Sequence, residues 1–278
     1  MKAGRLVLAA LLLAGCAAPA PPLRDSELPQ GAVPLHDAAL LHDPAVGRCA
    51  PTGRVTGRFV YREQDLIQTY CEAANLAAYR GALPTPFTMP QRPLVRVSVL
   101  DFYEMASGPA YLESTVSLLV LHQGQPGWFV LTMPVTDGDA CSGGRAAWGY
   151  PKIVRRVTLE RGSARYVGTS YAVGGRTPAL RLTLDVGEPG AAARELLRYV
   201  YPFPSLTLKA GSVLRFGGGS SPAYDLERVS PEAWKVRLGR ARLEYPQESE
   251  SLLHRLGVGQ PLAAYWAQLR ARYSIAPR

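Results

Sequence analysis

Residues 94–135 read LVRVSVLDFYEMASGPAYLESTVSLLVLHQGQPGWFVLTMPV, and this stretch decides the class of fold. It holds three runs rich in β-branched, aromatic and leucine residues, at 94–103, 112–121 and 127–135. Such side chains fit a pleated, packed surface, so three strands are expected. Working outward, residues 153–160, 164–173, 178–186 and 232–244 continue the strand pattern. Helical signals are fewer. Residues 64–82 place Leu66, Tyr70, Ala73, Ala74 and Ala77 on one stripe, and Gly81 with Pro84-Thr85-Pro86 would stop it. Residues 190–199 predict a second helix, and 249–273 a pair of helices broken at 257–261. No internal repeat and no second composition regime is present. The expected class is α+β and β-rich: one domain built on a strongly curved or closed antiparallel sheet with peripheral helices.

The 278 residues carry 47% hydrophobic side chains, enough for a sizeable core, and a formal charge of +9. That charge is scattered as single or paired arginines such as Arg155-Arg156, with no basic run interleaved with aromatics. A nucleic-acid partner is therefore not expected. Only four of the 31 basic residues are lysines: Lys2, Lys152, Lys209 and Lys235. A chain that writes nearly every cation as arginine makes each amine worth inspecting.

The N-terminus reads as an export signal. Lys2 and Arg5 precede an apolar run at 6–13, too short to span a bilayer. Leu13-Ala14-Gly15-Cys16 then resembles the lipobox of bacterial lipoproteins. On this reading residues 1–15 are removed, and Cys16 is lipidated and tethers the chain to a membrane of the cell envelope. Residues 16–44, with Pro19, Pro21, Pro22, Pro29 and Pro34, form an Ala/Pro-rich tether. Residues 45–278 form the domain, and the product faces the periplasm or the exterior. Export permits disulfides, and among Cys49, Cys71 and Cys141 the pair closest in sequence, Cys49–Cys71, is the expected bridge.

Several chemistries lack support. There is no CxxC or His-Cys cluster, and His36 and His42, six apart in a repeated Leu-His-Asp, do not align on a helix face; no metal is expected. Gly217-Gly218-Gly219 is followed by no helix pattern, so a phosphate cradle is not expected either. Cys141-Ser142-Gly143 lacks the spacing of a hydrolase elbow, and Ser170 sits inside a strand run.

Lys152 stands apart. It follows Gly149-Tyr150-Pro151, a turn with aromatic flanks that enters a strand. A free lysine amine has a pKa of about 10.4, and full burial lowers that of a lysine by roughly 3–5 units. A neutral amine attacks a ketone to give an imine. Once protonated, that imine is an electron sink for cleavage of a neighbouring C–C bond.

Gly144-Arg145 followed by Tyr150-Pro151-Lys152 resembles the signature of the acetoacetate decarboxylase superfamily, in which that lysine forms the Schiff base. Tyr111-Leu112-Glu113-Ser114 is similar to the family's Tyr-x-Glu segment, whose Glu lies in the active site. Met133 and the region of Asp137 match the strand and loop before the signature. Leu94-Val95-Arg96 and Pro84-Thr85-Pro86 match upstream pieces, so the likeness covers about residues 60–160 and fades beyond. The resemblance implies a cone-shaped β-structure and no cofactor. Lys152 and Glu113 would be catalytic, Tyr111, Tyr150 and Met133 would line the substrate, and Arg62 or Arg145 would attract its carboxylate. The substrate would be a small oxo-acid, and the resemblance leaves room for a homo-oligomer.

Three positions depart from the pattern: Ile153 stands where the family has a second lysine, and Ala146 and Ser98 stand where it has acidic residues. These losses put acetoacetate itself in doubt and keep open decarboxylation, aldol-type or dehydration chemistry. They also admit a rival, a non-catalytic envelope lipoprotein that holds a small apolar molecule in the same β-cone. A buried Lys152 amine facing Glu113 would favour the enzyme, and an exposed amine or a long apolar tunnel the carrier.

Overall fold

The computed structural model describes residue 49 and residues 59–200, 203–216 and 234–275. The expected signal and tether, Cys16, both Leu-His-Asp segments and glycines 217–219 lie outside the described residues. In chain order the elements are β1 (Phe59–Glu72), α1 (Leu76–Gly81), β2 (Leu94–Ser107), β3 (Tyr111–His122), β4 (Gln125–Val135) and α2 (Gly138–Trp148). There follow β5 (Lys152–Val154), β6 (Val157–Arg161), β7 (Arg165–Tyr171), β8 (Pro178–Val186), α3 (Ala191–Val200), β9 (Ser205–Lys209) and β10 (Ser212–Phe216). The last are β11 (Trp234–Glu244), α4 (Leu252–Arg255) and β12 (Ala263–Ile275).

The strands make a single sheet in the order β10-β9-β4-β3-β2-β1-β12-β11-β8-β7-β6, with β5 beside β4. Pairing is antiparallel except where β5 and β9 run parallel to β4 and share its second edge. The expectation of a closed barrel is corrected: β10 and β6 end the ladder without pairing, so the sheet is open. The curvature is nonetheless strong. Gly168 of β7 lies so close to β2 that a Cβ there would stand 2.7 Å from Val99 Cβ. Arg161 of β6 reaches Asp65 of β1 and Asp101 of β2. The far strands thus curl over the central ones and bury an apolar layer between them.

That layer holds Ile67, Val95, Val97, Val99, Val116, Leu118, Leu182 and Leu184. The opposite face of β1–β4 is divided. One apolar group under α3 contains Tyr70, Leu94, Leu119, Trp128, Leu196 and Val200. Another, against α2, contains Tyr61, Phe102, Tyr111, Met133 and Trp148. Both faces of the central strands are therefore covered, which explains two misreadings. Residues 64–72 belong to β1 rather than to a helix, which is confined to Leu76–Gly81 behind the cap Asn75. Residues 263–275 form β12, and the helix before them spans only Leu252–Arg255. A strand buried on both sides loses the alternation that betrays strands, and tertiary pairing overrides the helix propensity of its Ala, Leu and Gln. The three strands of 94–135, the runs at 164–173, 178–186 and 232–244 and the helix at 190–199 form as expected, whereas 153–160 is divided between β5 beside β4 and β6 beside β7.

The expected Cys49–Cys71 bridge is also corrected: Cys49 bonds Cys141, and Cys71 is a buried free thiol. Nearness in sequence misled because β1 carries Cys71 into the apolar layer, away from α2. The actual bridge spans 92 residues, a separation for which the chain-entropy model gives about 4.5 kcal/mol.

Candidate active site

The segment that carries Lys152 is built from glycines and caps. Helix α2 starts at Asp137, whose carboxylate accepts from Ala140 N at 2.8 Å. It ends at Gly149, at φ +66°, where an added Cβ would stand 2.8 Å from Lys209 Cβ and 3.0 Å from Leu208 O. A left-handed residue with no side chain is what this helix end requires. Strand β9 satisfies the last carbonyls of α2: Lys209 Nζ donates to Ala146 O (2.5 Å) and Ala147 O (3.0 Å), and Thr207 donates to Trp148 O (2.6 Å). Met133 N then donates to Pro151 O, and Met133 pairs with Lys152 as β5 joins β4. The sequence reading missed α2 altogether, although its two cap residues stood in plain view.

The Lys152 stem runs beneath α2. A Cβ on Gly144 would stand 2.6 Å from Lys152 Cδ and 2.7 Å from Cε, so the glycine makes room for the lysine. The amine ends 2.9 Å from Glu113 Oε2, with the two side chains 4% and 8% exposed. Thr115 donates to the other Glu113 oxygen at 3.4 Å. Nζ lies 3.5 Å from Tyr111 OH, 4.9 Å from the centre of its ring and 5.8 Å from the ring of Tyr150. Tyr61 OH is 3.3 Å from Tyr111 OH. Burial pushes the Tyr61 phenol well above its usual range, the bond with Tyr111 opposes this, and the Glu113 charge adds to the rise. Phe102 packs on Tyr61 and Tyr111, and Phe216 stacks on Tyr150. The amine thus meets one carboxylate and a wall of aromatic rings.

Of the residues expected from the sequence, Lys152, Glu113, Tyr111, Tyr150 and Met133 come together. Arg145 sits in the last turn of α2, and its Nη1 is 3.9 Å from Cys49 Sγ, beside the Lys152 carbonyl. Arg62 stands elsewhere. It is about half exposed and paired to Glu104 at 3.2 Å, pointing away from the side on which its neighbour Tyr61 joins the aromatic wall. Ser98 is buried and donates to Gln68 at 2.8 Å, Ile153 is half-buried, and Ala146 is exposed. The sequence reading also missed Tyr61, Thr115, Lys209 and the role of Gly144. Lysine scarcity offered one signal. Of Lys152, Lys209 and Lys235, one is the buried amine and a second braces its helix, while Lys235 is exposed on β11.

A buried Lys–Glu pair surrenders hydration that its mutual attraction only partly returns, so it contributes little net stability. Chemically it is a proton pair. The carboxylate can take the proton the amine must lose before attacking a carbonyl, and return it later. Among the described residues no group of His, Cys, Asp and Glu suited to a metal ion is present.

Comparison with known proteins bears on the family and the fold. An acetoacetate decarboxylase from Ralstonia nicotianae is 30% identical over 112 residues, which is 40% of this chain and 44% of that protein. The chain thus matches less than half the length of such curated relatives. In three dimensions it resembles a solved acetoacetate decarboxylase with a TM-score of 0.62 at 19% identity, over 85% of this chain and 91% of the other. It also resembles the enduracididine biosynthesis enzyme MppR, solved with the condensation product of pyruvate and imidazole 4-carboxaldehyde. There the TM-score is 0.58 at 11% identity, over 81% and 90% of the two chains. The sequence model of acetoacetate decarboxylase matches residues 73–274, most of the described domain, and the chain belongs to that family.

Proposed function

We propose that the chain is a Schiff-base-forming carbon–carbon lyase acting on a small oxo-acid. The observation that carries this reading is the buried Lys152 Nζ held 2.9 Å from Glu113. In the first step Glu113 takes a proton from the ammonium group of Lys152. The amine adds to the ketone carbon, Glu113 returns its proton to the departing hydroxyl, and loss of water leaves a protonated imine. Cleavage of the adjacent C–C bond sends its electron pair into that imine, giving an enamine and, from a 3-oxo acid, carbon dioxide. A proton drawn from water reaches the enamine, with Glu113 placed to relay it, and water then hydrolyses the imine to release the product and restore the Lys152 ammonium group. Tyr111 lies within reach of Nζ and orients it. The walls of Phe102, Tyr111, Met133 and Tyr150 exclude water and favour loss of a carboxylate. Arg145 is the remaining sequence candidate for attracting the acid to the site. The solved MppR complex with a pyruvate condensation product supports keeping aldol-type chemistry within the same reading.

The site favours this over an apolar carrier, because the amine is buried and faces a carboxylate. The test is borohydride reduction in the presence of acetoacetate, pyruvate and longer oxo-acids. A mass adduct on Lys152 is expected with at least one; no adduct with any of them overturns the enzymatic reading.

Anchoring in the envelope is part of the same proposal. The Cys49–Cys141 bridge supports it, since such bonds persist in oxidising compartments. A lipid-modified peptide beginning at Cys16 is expected from the native host's membrane fraction, and an unprocessed Met1 peptide would overturn it.

A further inference from the structure

Between the two apolar groups on the site face lies a buried polar band. Along β3 the residues on this face are Tyr111, Glu113, Thr115, Ser117 and then Leu119; opposite them on β2 stand Phe102, Leu100, Ser98 and Arg96. On β1, Gln68 faces Ser98 and Tyr70 faces Arg96. Thr115, Ser117, Ser98 and Gln68 are all buried. Ser98 donates to Gln68, whose amide donates to Tyr70 OH and to Tyr265 OH. These hydrogen bonds offset the cost of burying the band's polar groups.

Arg96 is the anomaly in the band. Its Nη2 donates to Ser117 Oγ (3.2 Å) and Ser205 Oγ (3.0 Å), and its guanidinium lies 5.0 Å from the centre of the Trp128 ring. Its Nε is buried without a partner, and among the described residues no carboxylate pairs with it. Burial pushes its guanidinium below the usual arginine range. A half-buried cation that no carboxylate pairs, and whose planar fork keeps an unused donor at its buried Nε, is suited to receive a carboxylate.

The position of the band sets the length of the ligand. Ser117, which Arg96 contacts, is four residues beyond Glu113 on β3, about 13 Å of backbone. We take roughly 10 Å, somewhat less than this backbone distance, as the gap that a ligand bridging amine and guanidinium must cross. The carboxylate of acetoacetate, one carbon from its ketone, is too short to bridge it. We infer that the preferred substrate is an oxo-dicarboxylic acid, its ketone at Lys152 and its distal carboxylate, three to five carbon–carbon bonds away, on Arg96. The ketone end of this inference rests on the imine reading above; the anion end does not.

Two compounds of equal chain length separate the claims: 2-oxoadipate and 2-oxohexanoate, which lacks the distal carboxylate. With the wild-type chain, borohydride trapping at Lys152 should reach half-saturation at a concentration about tenfold or more lower for 2-oxoadipate, as expected of a charge-assisted hydrogen bond. In Arg96→Gln that ratio should fall to near one. Equal half-saturation in the wild type, or an unchanged ratio in the variant, overturns the inference. Calorimetry with adipate, which has no ketone, tests the anion end alone: binding by the wild type and loss of binding in Arg96→Gln are expected. If adipate binds but no oxo-acid is trapped, the imine reading fails and the anion site stands. If oxo-acids are trapped without a length preference and adipate does not bind, the anion site alone fails. The wild-type comparison needs no variant, so a misfolded Arg96→Gln does not spare the claim.

Discussion

Two buried clusters of charge occupy opposite faces of the same central strands. On the sealed face, Arg161 of β6 holds Asp65 at 2.6 Å and Asp101 at 2.5 Å, carboxylates that face each other across β1 and β2. On the site face, Lys152 holds Glu113 at 2.9 Å. The first is a staple. A guanidinium keeps its proton and presents a fixed fork of donors, so two carboxylates pin the curled strands without any proton changing hands. The second, on the reading proposed above, serves the reverse. An ammonium gives up its proton more readily, a single carboxylate is there to take it, and the surroundings are aromatic. The two clusters differ in the cation, a guanidinium 36% exposed against an amine 4% exposed, and in the number of carboxylates it meets.

The comparison breaks most sharply under substitution of the cations. Lys152→Met should abolish the borohydride adduct and, by stranding the Glu113 carboxylate, cost about 3–5 kcal/mol of stability. Adding Glu113→Gln should recover most of that stability and none of the trapping, as followed by urea melts and intact mass. Arg161→Met should cost about 2–3 kcal/mol, less than for a fully buried pair because its side chain is 36% exposed. Its trapping rate, measured below the melting transition, should stay within twofold of wild type. A loss of trapping in Arg161→Met would erase the distinction between the faces.

A finer test leaves both charges in place. Gly144→Ala should push the Lys152 stem aside and slow trapping about tenfold or more, since a displacement of about 1 Å can cost up to 10²-fold. The melting temperature should change little, because the lysine rather than backbone yields. Unchanged trapping would show that the stem has room that the close approach denies it.

The smallest effect is expected from Cys71, on the sealed face. Burial pushes its thiol up from 9.0 to about 12, so peptide mapping after iodoacetamide treatment of the native chain at pH 8 should find it unlabelled. The folded state keeps this proton when the unfolded chain has lost it. Its contribution to stability is therefore complete below pH 9 and lost as pH rises toward 12. Rapid labelling of the native chain would place Cys71 outside the apolar layer.

Much of the site was legible because its chemistry is local. Gly144-Arg145 and Tyr150-Pro151-Lys152 lie in one short segment, and Glu113 sits on a strand whose run of Val and Leu declares itself. Arg62 misled because adjacent strand residues face opposite ways, and which face served the site was not written locally. Arg96 was quoted as part of a motif, yet only the register of β2 against β3 puts it on the face of Glu113. The helix α2 was hidden by its glycines, which weaken helix propensity; one of them, Gly144, is there for the lysine.

By itself the sequence determined the β-rich class, the central strands and the family likeness, and it singled out Lys152 and Glu113, which the fold brings to 2.9 Å. Each of these rests on side chains near one another in the chain or on the period of a single element. Tertiary structure decided that the sheet stays open, that residues 64–72 and 263–275 are strands, that Cys49 pairs with Cys141, and which arginine shares a face with Lys152. Those outcomes depend on which strand lies beside which, and pairing partners far apart in sequence leave no local period to read.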